Sequence, residues 1–491
     1  MELVKRHDLK LTGDPNRVLT RIFIPGEEEL IRGTSRAKVL VNRCLELPED
    51  VVVAELQRTL ELFGHRHVDL EQQFESHFAA VSGVIDIRTE LTKERMLLIG
   101  SYLTQEYAYE STAYFNPSIV EHPDQSGIPA GSLRFIMSVR AVGEGHISTL
   151  VFRTGVIHGD GEVSVDDPAP FPTTRANRYS VLRNRLVQQC ALEAGIDAAD
   201  LQFVLGMLPE KFTPEELSAS LSQANVAIEG PEHLELLAST MADIAKNSYE
   251  IDFSHDTHIS ERVVWPTAND ERRGIEDARF VRFRDNGTSP TYRATYTGFN
   301  GTQVVTRMLE TDDFRAFSSM GLTGKAVHNK GLALFPRLIN GKHCAVSRWD
   351  RESNSVAWSD DGYHWNEVSS FHVAAQPWDL IHVGNCGSPI ETDEGWLLLT
   401  HGAGPMRRYG ISAMLLDLED PSRMLRMLTT PLIEPNEDER DGYVPNVVYS
   451  CGSLIHHDRL YIPYGYSDIG TKFASVDVRE LIDAMEPSNL R

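Results

Sequence analysis

The chain has 491 residues, of which 41% are hydrophobic and 24% charged, so it can bury a large core and has room for two or three domains. Its 47 Lys and Arg against 71 Asp and Glu give a net charge of -24, which disfavours general binding to nucleic acid or to an anionic membrane surface. Any phosphate site must therefore be a local basic cluster. We expect a cytoplasmic protein with reduced thiols, because no apolar run has the length of a signal peptide or membrane span and the 5 cysteines are scattered.

The first part of the chain has the apolar spacing of helices. Between residues 36 and 80, Val52, Leu56 and Leu60 recur at helical steps, and Pro48 is placed to open one of these helices. Nothing in this region resembles a reactive cluster. We therefore interpret residues 1–110 as a helical cap that serves packing or subunit contact, through which a homo-oligomer could form.

Short strands and turns replace this pattern near Phe115. Residues 111–155 predict a first group of strands, and a Pro-rich linker at 166–172 then leads into helical stretches at 179–194 and 214–247. We interpret 156–255 as a helical insertion. The strand pattern resumes over 256–491 and ends in a short C-terminal helix, so the predicted fold class is mainly β.

A weak internal repeat runs through the strand regions, in which an apolar strand and a turn precede a second strand that ends in a polar or aromatic residue. Its five copies cover residues 115–140, 278–296, 332–348, 388–401 and 447–464. Several strands per unit and a spacing near ~50 residues are typical of β-propellers. We therefore expect a five-bladed β-propeller in which the ends of equivalent strands meet. Residues brought within reach would be Arg140, Asp277, Arg348, His401 and Asp468.

The segment Gly274-Ile275-Glu276-Asp277-Ala278-Arg279-Phe280 places two carboxylates and an arginine at the mouth of a predicted strand. Because side chains alternate along a strand, Asp277 and Arg279 are predicted to share one face and Glu276 the other. Asp277 is thus a candidate acid. The alternative is a strand-edge ion pair or a turn cap.

Three basic residues occupy equivalent positions of the repeat: Lys330, Arg348 and His401. In a strongly acidic chain such a cluster favours an anion, which Arg348 can hold in a bidentate manner, Lys330 as a point charge and His401 as a neutral or charged donor, with a hydroxyl from Tyr409. The alternative is that each basic group simply pairs with a surface carboxylate.

Seven motifs, taken in this order, resemble glycoside hydrolase family 130, the β-mannoside phosphorylases and their mannosidase relatives. They are 274–279 (GIEDAR, where the family has G-x-E-D-P-R), 330–336 (KGLALFP), 359–365 (SDDGYHW), 395–402 (GWLLLTHG), 415–421 (LLDLEDP), 442–448 (GYVPNVV) and 464–468 (YGYSD). The resemblance implies a five-bladed propeller. It also implies phosphorolysis of a β-mannoside with inversion, which yields α-mannose 1-phosphate.

The resemblance assigns roles to individual residues. Asp277 matches the catalytic acid, whose proton reaches the glycosidic oxygen through the mannose 3-hydroxyl while phosphate attacks from the opposite face. The phosphate-binding positions are matched by Lys330, Arg348, His401 and Tyr409, and the mannose-binding positions by Asn116, Arg140, Arg279 and Asp468, with Glu439 in the matching loop. Inorganic phosphate is the implied co-substrate and an oligosaccharide the partner. No metal or organic cofactor is required.

Two alternatives stay open. A β-mannosidase of the same fold would need a second carboxylate to activate water, and Glu439, Glu276 and Asp468 are available for that role. A non-catalytic carbohydrate-binding propeller would need no acid at all. The chain also departs from the family at Ala278, which replaces a proline, and over residues 382–389, so the acceptor sugar and the linkage are not predicted.

Overall fold

The structure is a computed structural model that describes residues 3–25, 36–85, 90–193, 195–224, 231–285 and 289–488. Helices are few and fall mainly in two regions. They are α1 (Arg36–Glu46), α2 (Glu49–Phe63), α3 (Leu70–Ile85), α4 (Lys93–Tyr102), α5 (Asn184–Glu193), α6 (Ala198–Leu205), α7 (Pro214–Ala224), α8 (Pro231–Lys246) and α9 (Val478–Asp483). Over the described ranges, no helix is both long and apolar enough to cross a membrane.

Strands make up most of the remaining regular structure, so the protein is mainly β. The first half of the chain contributes β1 (Lys5–Thr12), β2 (Leu19–Ile22), β3 (Thr104–Tyr107), β4 (Ala113–Glu121), β5 (Leu133–Val142), β6 (Ser148–Ile157), β7 (Val163–Val165), β8 (Ala176–Tyr179), β9 (Leu182–Arg183), β10 (Lys211–Phe212) and β11 (Tyr249–Phe253). Between 263 and 347 follow β12 (Val263–Val264), β13 (Gly274–Phe283), β14 (Thr291–Phe299), β15 (Val304–Thr311), β16 (Ala316–Gly321), β17 (Ala333–Leu334) and β18 (His343–Ser347). The last part adds β19 (Asn354–Ser359), β20 (Glu367–His372), β21 (His382–Asn385), β22 (Ile390–Thr392), β23 (Gly395–Ala403), β24 (Tyr409–Leu416), β25 (Met424–Met427), β26 (Val448–Tyr449), β27 (Leu454–His456), β28 (Arg459–Tyr466), β29 (Gly470–Asp477) and β30 (Glu486–Pro487).

The chain divides into two compact units. One comprises Met1–Gly13, Thr112–Pro168 and Thr174–Arg491, and the other Asp14–Ser111 with Ala169–Thr173. The smaller unit holds α1 to α4 and the antiparallel pair of β2 and β3. Its core is formed by apolar residues at helical spacing such as Val41, Val52 and Leu56, all of them buried. The helical interpretation of residues 1–110 did not foresee β1, which belongs to the larger unit and pairs with β29.

The larger unit is built from antiparallel strands joined mostly by short turns. One sheet runs β4-β5-β6-β13-β14-β15-β16-β11-β8, a second β17-β18-β19-β20, a third β21-β23-β24-β25-β30 and a fourth β1-β29-β28-β26. In the first sheet, β13 meets β6 at a parallel bridge between Gly274 and Ser148. Gly274 has φ of 138°, and a Cβ there would lie 2.8 Å from the Ser148 backbone nitrogen, so only glycine fits this crossing.

The insertion between the early strand groups has its own apolar core, and it also contains strands. Leu182, Val187, Leu201 and Met241 are among the buried residues that α5 to α8 and the β9–β10 pair enclose. The helix predicted at 179–194 begins only at Asn184, after β8 and β9, and the one predicted at 214–247 includes residues 225–230, which lie outside the described part. Strand β11 was missed although its burial alternates with period two.

Candidate active site

Asp277 lies at a β-bulge, and this changes which side chains share a face. The pairing of β13 with β14 slips between Glu276 and Arg279, and Asp277 has φ of 54°. The extra residue breaks the strict alternation expected of a strand. As a result Glu276 and Asp277 both reach Arg140, at 2.8 Å and 3.3 Å, so the prediction that they face opposite ways was wrong.

A second bulge brings an amide to the same carboxylate. Asn116 has φ of 52° and lies where β4 and β5 slip register between Phe115 and Ser118. Its Nδ2 donates a 2.7 Å hydrogen bond to Oδ1 of Asp277. Asn and Asp are the non-glycine residues that best tolerate this left-handed backbone, so the sequence is locally consistent with both bulges. Both side chains are buried, each about 8% exposed.

Burial and nearby charge move the pKa values of Asp277 and Asp468 in opposite directions. Burial raises the pKa of Asp277, but the positive charges of Arg140, Lys330 and Arg279 outweigh it, so the net pKa is lowered. For Asp468, burial and the nearby Asp277 charge raise the pKa to about 6, against the opposing charge of Arg140. Asp468 lies in the β28–β29 turn with φ of 52°. Environments that push two carboxyl pKa values apart are typical of catalytic sites.

Arg279 connects the acid to the neighbouring sheets. Its guanidinium donates to the backbone oxygen of Asp277 at 2.8 Å, to the Tyr449 hydroxyl at 2.8 Å and to Oδ1 of Asn385 at 3.2 Å. The side chain is buried, and no carboxylate of the described residues lies within ion-pair distance of it. These bonds fix the position of the guanidinium beside Asp277.

The predicted basic cluster continues from Asn385. His401, on β23, places Nδ1 3.1 Å from the Asn385 backbone oxygen and Nε2 3.4 Å from Nη1 of Arg348. Arg348 has no carboxylate within ion-pair distance in the ranges that the structure describes, and its Nε is buried without a hydrogen-bond partner there. The ring of Tyr409 stacks on that of His401 with centroids 6.0 Å apart. An uncompensated guanidinium in a chain of net charge -24 indicates an anion site.

Lys330, the third residue of the predicted basic cluster, contacts the carboxylate of Glu276. Its Nζ is 3.5 Å from Oε2 of Glu276, and its side chain is 43% exposed. Because Glu276 also binds Arg140, a single carboxylate links the lysine to the arginine beside Asp277. The two predicted sets, one for sugar and one for phosphate, therefore meet in one continuous network.

Glu439 is placed differently from the other predicted residues. It is fully buried, and its carboxylate accepts from the Tyr464 hydroxyl at 2.8 Å and from Nζ of Lys472 at 3.0 Å. Glu271 has matching surroundings, with Tyr296 on the second strand and Arg307 on the third strand of its own group. Each glutamate ends a short turn and lies three residues before a glycine. The described contacts of Glu439 are therefore those of a buried capping residue, and they recur at Glu271.

Sequence reasoning missed two residues of the network, Asn385 and Tyr449. Asn385 lies in β21, which pairs with β23 and precedes the fourth copy of the predicted repeat. The departure from the family pattern over residues 382–389 was the available signal. Asn385 is a polar residue between Gly384 and Cys386, and its side-chain amide requires a hydrogen-bond partner. In the described part of the chain, no group of three or more His, Cys, Asp or Glu side chains is arranged to hold a metal ion.

A buried carboxylate held by arginines, connected through hydrogen bonds to a guanidinium without a counter-charge, is a candidate site for a small polar and anionic substrate, as in carbohydrate-active enzymes. The profile of the glycoside hydrolase family 130 proteins, described as β-1,4-mannooligosaccharide phosphorylase, matches residues 236–487, just over half of the chain. The chain therefore belongs to glycoside hydrolase family 130.

Two relatives that are named as phosphorylases agree with this family. The chain is 34% identical over 227 residues to a 1,2-β-oligomannan phosphorylase of Thermoanaerobacter sp. strain X514, an alignment that covers 43% of this chain and 71% of the relative. It is 31% identical over 245 residues to a β-1,2-mannobiose phosphorylase of Listeria innocua, covering 48% and 66%. A solved β-1,2-mannobiose phosphorylase of Listeria innocua, in complex with β-1,2-mannobiose, aligns with a TM-score of 0.45 at 21% identity over 76% of this chain and 92% of that one.

Proposed function

We propose that the protein is an inverting phosphorylase that cleaves a β-mannoside with inorganic phosphate. The products are α-mannose 1-phosphate and an acceptor sugar shortened by one unit. The observation that carries the proposal is the connection of Asp277, through Arg279 and Asn385, to His401 and the uncompensated Arg348. An acid and an anion site in one network are the two requirements of phosphorolysis.

The reaction assigns one task to each side of the network. A phosphate oxygen forms a bond to the anomeric carbon from one face while the bond from that carbon to the glycosidic oxygen breaks on the other. Asp277 supplies the proton that the leaving oxygen takes up, relayed by the mannose 3-hydroxyl. Positive charge from Lys330 and Arg348 holds the phosphate, with His401 and Tyr409 completing its site.

The mannosyl unit is assigned to the residues around Asp277. Asn116, Arg140 and Arg279 present amide and guanidinium donors, and Asp468 presents a carboxyl group that can accept or donate. Glu439 we expect to act indirectly, because its carboxylate is bound by Tyr464 and Lys472 while its backbone oxygen accepts from the Ser467 hydroxyl at 2.6 Å. Glu439 would thus position the turn that carries Asp468 rather than contact sugar.

Hydrolysis is the less favoured reaction because two of the three carboxylates available as a base are engaged by cations, so a mannosidase would have to use Asp468. A mannosidase would need a free carboxylate to activate water, separated from the acid by roughly 6.5 to 9.5 Å. Glu276 is held by Arg140 and Lys330, and Glu439 by Lys472. A carboxylate paired with a cation is a weak base.

The architecture we propose for the larger unit is the five-bladed propeller. Five successive antiparallel groups support it: β4 to β7, β13 to β16, β17 to β20, β21 to β25, and β26 to β29, the last completed by β1. Arg140, His401 and Tyr464 lie on β5, β23 and β28, each of which pairs with the first strand of its group, and Arg348 directly follows β18, which pairs with β17. The domain division 1–110, 111–155, 156–255 and 256–491, a cytoplasmic location and a homo-oligomer formed through the helical regions stay predictions.

The decisive experiment is to measure release of sugar 1-phosphate from β-1,2-, β-1,3- and β-1,4-linked mannobiosides with and without inorganic phosphate. We expect α-mannose 1-phosphate only when phosphate is present, with the β-1,2 linkage tested first because three relatives are named for it. Free mannose released equally in both conditions would make the protein a mannosidase. Binding of mannobiose with no product in either condition would make it a non-catalytic sugar-binding protein.

A further inference from the structure

The two nitrogen partners of His401 fix the protonation of its ring. Nδ1 lies 3.1 Å from the backbone oxygen of Asn385, which can only accept a hydrogen bond, and 3.9 Å from Sγ of Cys386, which is a weak partner that can also accept. Nε2 lies 3.4 Å from Nη1 of Arg348, and a guanidinium can only donate. The ring is therefore neutral, with its hydrogen on Nδ1 and a lone pair on Nε2.

The surroundings hold the ring in this state. Burial lowers the pKa of His401 well below its usual range, and the positive charge of Arg348, the neighbouring His382 and the charge of Arg279 lower it further. The ring packs closely against Gly384 of the adjacent strand, where a Cβ would lie 2.5 Å from Cε1, so only glycine leaves room for the ring in this position. Stacking by Tyr409 and the contact with Tyr449, whose ring centroid is 4.7 Å away, leave Nε2 facing Arg348.

We propose that His401 accepts a hydrogen bond from the P–OH group of hydrogen phosphate, and that this bond makes the anion site selective for protonated tetrahedral anions. The inference rests on the proposed function, since it concerns the phosphate of that reaction. When the anion binds, Arg348 gives up its 3.4 Å contact with Nε2 and donates to the unprotonated oxygens of the anion, so the lone pair of Nε2 receives the one hydrogen that the anion carries. No proton is transferred in this step, since the hydrogen stays bonded to the phosphate oxygen.

Sulfate provides the discriminating comparison because it has the charge and shape of hydrogen phosphate but no hydrogen. In its complex, a sulfate oxygen would face the lone pair of Nε2, so two acceptors would oppose each other in a buried site. Sites built to hydrogen-bond one group reject an analogue that lacks it, because a buried polar atom is left unpaired. We expect sulfate to bind at least ~100-fold more weakly than phosphate.

The test measures inhibition of phosphorolysis by sulfate and by methylphosphonate against the KM for phosphate, using the full-length protein. Methylphosphonate carries a hydrogen only as its monoanion, so its inhibition should disappear when the pH rises above its second ionisation, whereas phosphate remains bound. This measurement needs no variant. Sulfate that competes within threefold of phosphate, or methylphosphonate that inhibits equally on both sides of its ionisation, would overturn the proposal.

Two variants separate the role of His401 from a general loss of anion affinity. In His401→Gln the side-chain amide can donate as well as accept, so the ratio of the sulfate inhibition constant to the phosphate KM should fall at least ~10-fold. Arg348→Lys keeps a donor and should weaken both anions in proportion, with that ratio unchanged. An unchanged ratio in His401→Gln refutes the proposal. A protein that forms no mannose 1-phosphate refutes the proposed function instead, so the two failures are distinguishable.

Discussion

Replacing Asp468 with asparagine should stabilise the folded protein, and by more at pH 8 than at pH 5. The pKa of this carboxyl is raised from 3.8 to about 6, chiefly by burial, so its charge is less favourable in the fold than in the unfolded chain. The shift of about two units corresponds to about 3 kcal/mol at 1.36 kcal/mol per unit. Asparagine keeps the shape without the charge, and it tolerates the φ of 52° at this position.

The sign of the pH dependence follows from proton binding. Between pH 4 and 6 the folded protein keeps the proton of Asp468 while the unfolded chain has lost it, so this group contributes stability that is complete below the unfolded pKa and is lost as the pH rises through about 6. At pH 5 about half of the effect has developed. The gain in Asp468→Asn at pH 8 should therefore exceed its gain at pH 5 by about 1.4 kcal/mol.

The assay is urea unfolding of wild type and variant at both pH values, followed by tryptophan fluorescence. Asp458→Asn is the matched control, because Asp458 has φ of 60° in the turn at the other end of the same strand and its side chain is exposed. We expect no pH-dependent gain in the control. An equal change at pH 5 and pH 8 in Asp468→Asn would show that the carboxyl is not perturbed as described. A gain in Asp468→Asn that is smaller at pH 8 than at pH 5 would show that the assigned sign is wrong.

Three further variants test the catalytic and structural assignments. Asp277→Asn should lower kcat at least ~100-fold and leave sugar affinity within about threefold, as measured by calorimetry, and retained turnover would remove the acid assignment. Arg348→Ala should raise the KM for phosphate far more than the KM for mannobioside, whereas Arg423→Ala, at an exposed arginine paired with Asp417, should change neither. Glu271→Gln should lower the unfolding free energy by about 3 kcal/mol, because Arg307 is fully buried 3.0 Å from Glu271, and an unchanged urea midpoint would contradict this.

Sequence patterns indicated which polar residues could form the candidate site, but they did not predict how all of these side chains are oriented. Arg348 and His401 were identified because basic residues at a repeated position of an acidic chain need a common reason. The orientation of Asp277 was not predicted, because a bulge adds one residue to a strand and no residue composition indicates where this occurs. Asn116 and Asp277 are residue types that tolerate a left-handed backbone, but many such residues occur in ordinary turns.

The capping role of Glu439 could have been predicted from a sequence motif that was not used. Glu271 and Glu439 both begin the sequence Glu-Arg-x-Gly, and each lies before a strand of the larger unit. Two copies of one short motif in a repeating chain favour a repeated structural role over a unique catalytic one. Asn385 and Tyr449, by contrast, reach Arg279 through contacts between separate sheets, and one sequence does not report which sheets lie side by side.

A general acid must hold a proton when the glycosidic bond breaks, yet Arg140, Lys330 and Arg279 lower the pKa of Asp277 in the ligand-free protein. On the proposed function, hydrogen phosphate brings two negative charges to Lys330, which is one of the cations that cause this lowering. Opposite charge beside Lys330 weakens its effect on the carboxyl, so the pKa of Asp277 is higher with phosphate bound than without it. Lys330 thus couples binding of the nucleophile to retention of the proton by Asp277, which favours phosphorolysis over hydrolysis.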